Sequence, residues 1–334
     1  MEMKRKLAWK LLLLGVLCGL LAGGFSILVD PYNVFHWSCA RDNGVEPNKN
    51  YVKTQFVLHN TDKYDTFIFG NSRVGSIDAA KIGDTCYNMY YADGLPAEHY
   101  ENLKGFLEAG VTVRKVYLGV DDVACFTDPA VHDGQLIRQP YRTGEPRIQF
   151  LMRYLNPSVT LQSLETICAP HEAEPDFQQR LYSTGNYYLR GDLTDEELAR
   201  EVWPYYDWHG ESALEDIRRF RELCDENGIS LIVFVNPEYE MRFGQAIENG
   251  YLDFLRGLAQ ITDYYCFCGY NDVTMDKSYF HDISHYRQSV GDLMIRVMNG
   301  EEPDEELEKL LAQGFGTYVT TQNVEEVTGR LEKP

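Results

Sequence analysis

The chain has 334 residues, 44% of them hydrophobic and 25% charged, with a formal net charge of -20. That is enough apolar material for one α/β domain with an appendage, and too much for a disordered chain. The acidic balance leaves no surplus of Lys and Arg to neutralise phosphates, and no local basic stripe compensates, so a nucleic-acid partner is not expected.

The amino terminus carries Lys4, Arg5, Lys6 and Lys10, after which Leu11 to Val29 runs without a charge. The run approaches the roughly 20 residues that a spanning helix needs. Cations before it and Asp30 after it predict a cytoplasmic start and an extracytoplasmic remainder. A cleavable signal is the alternative, since Leu21-Ala22-Gly23-Gly24 offers small residues, but the apolar stretch exceeds a usual h-region of about 7 to 15 residues. The reading adopted is a cytoplasmic stub and signal anchor over residues 1–29, placing the protein in the cell membrane as a single-pass chain. Leu17 before Cys18 argues against lipid attachment, and Cys18 reads as a membrane-buried side chain.

Asp30-Pro31-Tyr32 reads as a turn opening a linker over residues 30–62. Thr66 to Gly70 is a β-branched and aromatic run closed by glycine, as in a buried strand. Thr85 to Met89 and Lys115 to Val120 are further strands, with a helix between them from Pro96 to Ala109. Residues 126–210 are aromatic, Pro-containing and weakly periodic; they read as an insertion forming a lid or substrate wall. Ser212 to Asn227 is helical by its apolar spacing, and Ile229 to Val235 is a strand. A helix from Gln245 to Ala259, a strand from Tyr264 to Cys268, a polar loop to Asp282 and a helix from Tyr286 to Met298 follow. A strand from Phe315 to Thr320 and a helix from Gln322 to Leu331 end the chain.

Strand–helix alternation with apolar strands predicts a mainly parallel sheet covered on both faces, a three-layer α/β/α sandwich preceded by one transmembrane helix. Ligands of such sheets bind at the carboxyl ends of the strands, where Ser72, Asp121 and Asn236 fall. The domain is expected over 63–300, with an extension over 301–334. Seven cysteines follow the anchor, an odd number without zinc-like spacing. Cys266 and Cys268, on one strand, are not expected to bond each other.

Ser72 follows a strand and Gly70, a place where a hydroxyl can meet a base and where backbone N–H groups can meet an oxyanion. Far downstream Asp282 precedes His285 by three residues, a spacing that lets the carboxylate hold one ring nitrogen while the other takes a proton. His281 and His285 share the four-residue spacing of metal ligands, but no further ligands are evident, so no metal and no cofactor are expected.

With Gly70-Asn71-Ser72 early and Asp282-Ile283-Ser284-His285 late, the chain resembles the SGNH (GDSL-like) hydrolase superfamily, with Asn71 in place of the usual Asp. The resemblance implies Ser72 as nucleophile, His285 as general base and Asp282 as its orienting group. It implies an oxyanion hole from the Ser72 and Gly94 N–H groups, Gly94 closing the block Tyr87 to Gly94. The third family block falls at Gly119-Val120-Asp121-Asp122, where Asp121 replaces the donating Asn; a carboxylate has no proton to give, so Asp121 is a member of the oxyanion hole only if protonated, and is otherwise turned away or replaced by another donor. Anchor, Asp30-Pro31-Tyr32 and motif order resemble the membrane-anchored branch, similar to the D-alanine transfer protein of teichoic-acid modification and, more loosely, to alginate acetylation proteins.

The function expected is that of an extracytoplasmic serine esterase or O-acyltransferase acting on an envelope polysaccharide or glycan. Its other expected partners are the membrane and a membrane-bound acyltransferase. Arg73 and Asn88 are candidate substrate-binding residues, Arg73 for an anionic group or else as a structural ion pair. Tyr187, Tyr188, Trp203, Tyr205, Tyr206 and Trp208 are candidates for stacking on sugars or for packing. The alternatives are a catalytically degenerate protein of the same fold that binds glycan or an acyltransferase, supported by Asn71 and Asp121, and a metal-dependent hydrolase using His281 and His285.

Overall fold

In the computed structural model, which describes residues 2–184, 191–199 and 207–332, short apolar segments pair into one mixed six-stranded sheet. The strands are β1 (Thr66–Phe69), β2 (Cys86–Asn88), β3 (Lys115–Val120), β4 (Ser230–Val235), β5 (Tyr264–Cys266) and β6 (Thr317–Val319). Their order is β2-β1-β3-β4-β5-β6; the first five run parallel, and β6 pairs antiparallel with β5. Each predicted strand contains one of these.

The period of two residues along a strand sends neighbours to opposite faces. Phe67, Phe69, Val116, Leu118, Val233 and Val235 enter one buried cluster, whereas Ile68, Tyr117 and Phe234 enter another. Near-continuous apolar strands such as β3 and β4 are therefore required.

In chain order the helices are α1 (Glu2–Val29), α2 (Lys49–Leu58), α3 (Ala79–Ile82), α4 (Pro96–Glu108), α5 (Asp122–Phe126), α6 (Arg147–Met152), α7 (Pro157–Cys168) and α8 (Phe177–Gln179). Then come α9 (Asp195–Leu198), α10 (Gly210–Glu226), α11 (Glu240–Glu248), α12 (Tyr251–Ala259), α13 (Gln288–Met298), α14 (Glu305–Ala312) and α15 (Val324–Leu331). Where one helix was expected from Gln245 to Ala259 there are two, because Gly250 adopts φ 99° and breaks the ladder between α11 and α12. The helix expected from Tyr286 starts at Gln288, since Tyr286 pairs with Phe280 in an isolated bridge.

Helix α1 is long and apolar enough to cross a membrane. Asp30 ends it at φ 48°, and its carboxylate accepts the N–H groups of Val34, Phe35 and His36 at 2.8–3.0 Å. That capping turns the chain sharply into the domain.

The insertion has two roles. Its helices α6 and α7 and the turn between them pack on the linker through Phe150, Val159 and Tyr154, against Tyr32, Val34 and Tyr51. Its later part, around Leu193, joins the cluster holding Phe280 and Tyr286, and the Leu193 N–H donates to the Phe280 carbonyl. The insertion thus lies against the loop that carries Asp282 and His285.

Candidate active site

At the end of β1 the chain enters a 3-10 turn, Ser72–Ser76, capped by Asn71, whose Oδ1 accepts the Arg73 N–H at 3.0 Å. Gly70 is required there: a Cβ would lie 2.7 Å from Val74 Cγ1, so a side chain would push the turn off the strand end. This close seating presents Ser72 at the carboxyl edge of the sheet.

Ser72 Oγ lies 2.8 Å from His285 Nε2, across 213 positions of sequence. The other ring nitrogen, Nδ1, lies 2.8 Å from Asp282 Oδ2 and 3.0 Å from Oδ1. Asp282 also accepts the Ser284 and His285 N–H groups at 2.7 and 2.9 Å. Burial pushes its carboxyl upward, but the hydrogen bond and charge of His285 and those two N–H groups outweigh burial and hold it below the usual carboxylate range. Asp282 therefore stays ionised and keeps the proton on Nδ1, which leaves Nε2 to accept from the serine hydroxyl.

No family model matches this chain, and no curated protein is significantly similar to it. Its chemistry must be read from the site.

Asp121 caps α5 and is 1% exposed. Its oxygens accept from Asn71 Nδ2 at 2.8 and 2.9 Å, from Asn236 Nδ2 at 2.9 Å and from the Val123 N–H at 3.1 Å, and Arg73 Nη1 is 3.0 Å away. Every contact uses Asp121 as an acceptor. It works as a structural anchor under the serine turn and supplies no oxyanion donor.

The Ser72 N–H makes no hydrogen bond among the described residues, so one donor is available to an oxyanion. The Gly94 N–H donates to the Tyr91 carbonyl at 3.3 Å, a long bond that a stronger acceptor can compete with. Gly94 does lie against the turn, since a Cβ on it would be 2.9 Å from the Gly70 carbonyl oxygen.

Arg73, considered as a ligand for an anionic substrate, is instead 2% exposed and committed to the protein. Its Nη1 meets Asp121, Asp122 and Glu238 at 3.0, 2.5 and 3.3 Å, and its Nε donates to the Ser284 carbonyl at 3.0 Å. The last bond ties the residue after the nucleophile to the residue before His285. Burial opposes the charge, but Asp121 and then Asp122 hold the guanidinium protonated well above its ordinary range.

Asn88 is likewise structural. Its amide donates to the Val74 and Ile77 carbonyls at 2.7 and 3.0 Å, and its Oδ1 accepts the Tyr90 N–H. Sequence reasoning missed Lys53, which is fully buried and donates to the Asn88 and Tyr90 carbonyls at 3.0 Å each. Burial first, and Lys49 second, depress its ammonium well below the ordinary lysine range. Lys53 thereby orients the segment leading to Gly94; on a helix that also carries Lys49, Asn50, Thr54 and Gln55, nothing in the sequence marked it as buried.

Glu238 and Arg242 complete the buried cluster, with Arg242 Nη2 2.6 Å from Asp122 Oδ2. Burial, then Asp122, push the Glu238 carboxyl well above the ordinary glutamate range. A protonated Glu238 balances the cluster, with Arg73 and Arg242 against Asp121 and Asp122. The sign follows: the folded state holds this proton more tightly than the unfolded chain, so stability is fully present below the unfolded pKa and falls as pH rises through the folded one. Glu238→Gln is expected to flatten that fall as pH rises above the ordinary glutamate range, as measured by chemical denaturation across pH.

His281 turns away from the triad and lies 2.9 Å from the Gly191 carbonyl through Nδ1. Among the described residues no group of three His, Cys, Asp or Glu could hold a metal ion. The Cys266 and Cys268 sulfurs approach to 3.3 Å as free thiols, nearer than a shared strand face predicts, because β5 ends at Cys266. Trp208 packs edge-on to Phe126, whereas Tyr187, Tyr188, Trp203, Tyr205 and Tyr206 lie outside the described residues.

Proposed function

We propose that the protein is a membrane-anchored, extracytoplasmic serine esterase or O-acyltransferase of the SGNH type, with a three-layer α/β/α domain. It acts on acyl esters of an envelope polysaccharide or related glycan. The observation that carries this reading is the continuous Ser72–His285–Asp282 chain, 2.8 Å at each link.

His285 takes the Ser72 proton as the oxygen attacks the ester carbonyl, and Asp282 stabilises the imidazolium that forms. The Ser72 N–H, assisted by the Gly94 N–H, meets the oxyanion. Collapse of the tetrahedral adduct leaves acyl-Ser72, with His285 returning its proton to the departing alcohol. A second attack, by water or by a sugar hydroxyl, releases the serine: water makes the protein an esterase, a sugar makes it a transferase. A membrane-bound acyltransferase is the partner that fits the second course.

A second reading, a glycan- or acyltransferase-binding protein without turnover, draws on the locked Asp121, which removes one donor from the oxyanion hole. A fluorophosphonate separates the two. Covalent labelling of the native protein that is lost in Ser72→Ala supports the enzyme; absence of labelling while glycan binding persists supports the binding protein.

A further inference from the structure

Helix α1 does not stand apart from the domain. A Cβ built on Gly23 would lie 3.9 Å from Leu155 Cδ2, Ser26 Oγ is 2.9 Å from Thr160 Oγ1, and Leu28 and Val29 share a cavity wall with Thr166 and Ile167. Helix α7 therefore runs alongside the last turns of α1 and in the same direction, with its first residues level with Gly23.

The levels can be compared with a bilayer. Leu11 to Val29 is 19 residues, or about 28 Å of helix at 1.5 Å per residue, close to the roughly 30 Å of a hydrocarbon core. Gly23 lies six residues before Val29, so the corner between α6 and α7 sits about 9 Å below the outer end of the span.

An apolar strip is exposed at that depth, bordered by the exposed Ser158 and Glu165. Met152 is 56% exposed, Leu161 62%, Leu164 46% and Ile167 58%. Around α7, Ile167 and Leu164 flank Thr160, which faces α1, and Leu161 follows about 100° from Thr160. The exposed apolar arc is thus continuous with the α1 contact, while Val159 and Ser163 face the domain.

The backbone of the corner suits the same environment. Hydrocarbon offers no partner to a helix N-terminus, so its N–H groups must be satisfied internally. Pro157 has no N–H; Ser158 and Val159 donate to Asn156 Oδ1 at 2.9 and 3.2 Å, and Thr160 donates to the Asn156 carbonyl. Arg153 is neutralised by Glu145 at 2.6 Å.

We infer that the α6–α7 corner is immersed in the outer leaflet, with Met152, Leu161 and Leu164 in contact with lipid acyl chains. The protein is then held by a spanning helix and a monotopic wedge together. Two attachments fix the tilt of the domain, so Ser72 stands at a set height and orientation over the membrane. This rests on α1 crossing the bilayer and is independent of the chemistry at Ser72.

The test uses full-length protein carrying Cys18→Ser, Cys39→Ser and Cys168→Ser, with a bimane placed on Leu161→Cys or Met152→Cys and reconstituted into phosphatidylcholine vesicles. Leu20→Cys reports on α1, and Glu226→Cys on the aqueous side. Doxyl-labelled lipid is expected to quench Leu161→Cys and Met152→Cys at least about twofold more than Glu226→Cys, approaching Leu20→Cys. Quenching at Leu20→Cys with both wedge positions matching Glu226→Cys overturns the wedge but not the anchor. No quenching at Leu20→Cys overturns both. Protection of Leu161→Cys from a maleimide in native membranes, without lipid quenching in vesicles, overturns the wedge in favour of a protein partner on this face.

Discussion

Ser72→Ala is expected to abolish fluorophosphonate labelling and to lower ester hydrolysis by roughly 10³-fold or more, because among the described residues no other hydroxyl shares the 2.8 Å contact with His285 Nε2. His285→Ala is expected to cost about 10²-fold or more, since the serine then has no base. His281→Ala is expected to stay near wild type, its ring being bound to the Gly191 carbonyl. The pattern across the variants is the sensitive readout. Equal hydrolysis by wild type and His285→Ala would remove the general base from the scheme, and a loss at His281 matching that at His285 would point to two histidines acting together. The pH profile adds an independent check. Asp282 is held below the usual carboxylate range, so it stays ionised as pH falls, and its own protonation should not shape the profile within or above that range.

The parts of this site that were legible in the sequence are those fixed by local rules. A strand that ends at Gly70 places Ser72 at the sheet edge whatever lies elsewhere, and the three-residue spacing from Asp282 to His285 sets their mutual hydrogen bond by itself. Strand identities were legible for the same reason, since β3 and β4 are apolar on both faces. What was not legible depends on side chains brought together from distant segments. The role of Asp121 is decided by Asn71 and Asn236, 50 and 115 positions away, and that of Arg73 by Ser284 and Glu238. An exposed-looking Arg after a serine carries no mark in the sequence of its burial under that serine. The split of the helix predicted from Gln245 to Ala259 turned on Gly250, which a helix tolerates in many contexts and which here takes a left-handed conformation. The packing of α7 on α1 was hidden because an apolar stripe on a short helix is equally suited to a core, a partner or lipid.

Asp121→Asn tests the buried cluster most sharply, because by sequence it looks like a repair: it installs the amide that the oxyanion hole lacks. The opposite result is expected. Asp121 receives N–H groups from Asn71, Asn236 and Val123 and sits 3.0 Å from Arg73. A carboxamide has one acceptor oxygen, so its NH₂ must face at least one of these donors at a position only 1% exposed. It also removes a buried negative charge, leaving Arg73 and Arg242 opposed by Asp122 until Glu238 gives up its proton. Breaking such a pairing costs roughly 3 kcal/mol, read as a shift in the denaturation midpoint. Activity should fall with it, since Asn71 both donates to Asp121 and caps the Ser72 turn. A variant with unchanged midpoint and faster labelling of Ser72 would mean that the new amide reaches the oxyanion, and that the network under the serine is looser than its distances imply. The exchange Asp121→Asn with Asn236→Asp separates charge from placement. It keeps one carboxylate and one amide in contact, and the new carboxylate can accept the Tyr286 hydroxyl that Asn236 accepts at 3.0 Å. Partial recovery of stability in this double variant is expected if acceptor count governs the cluster. No recovery would show that the carboxylate must stand at position 121, within reach of Arg73.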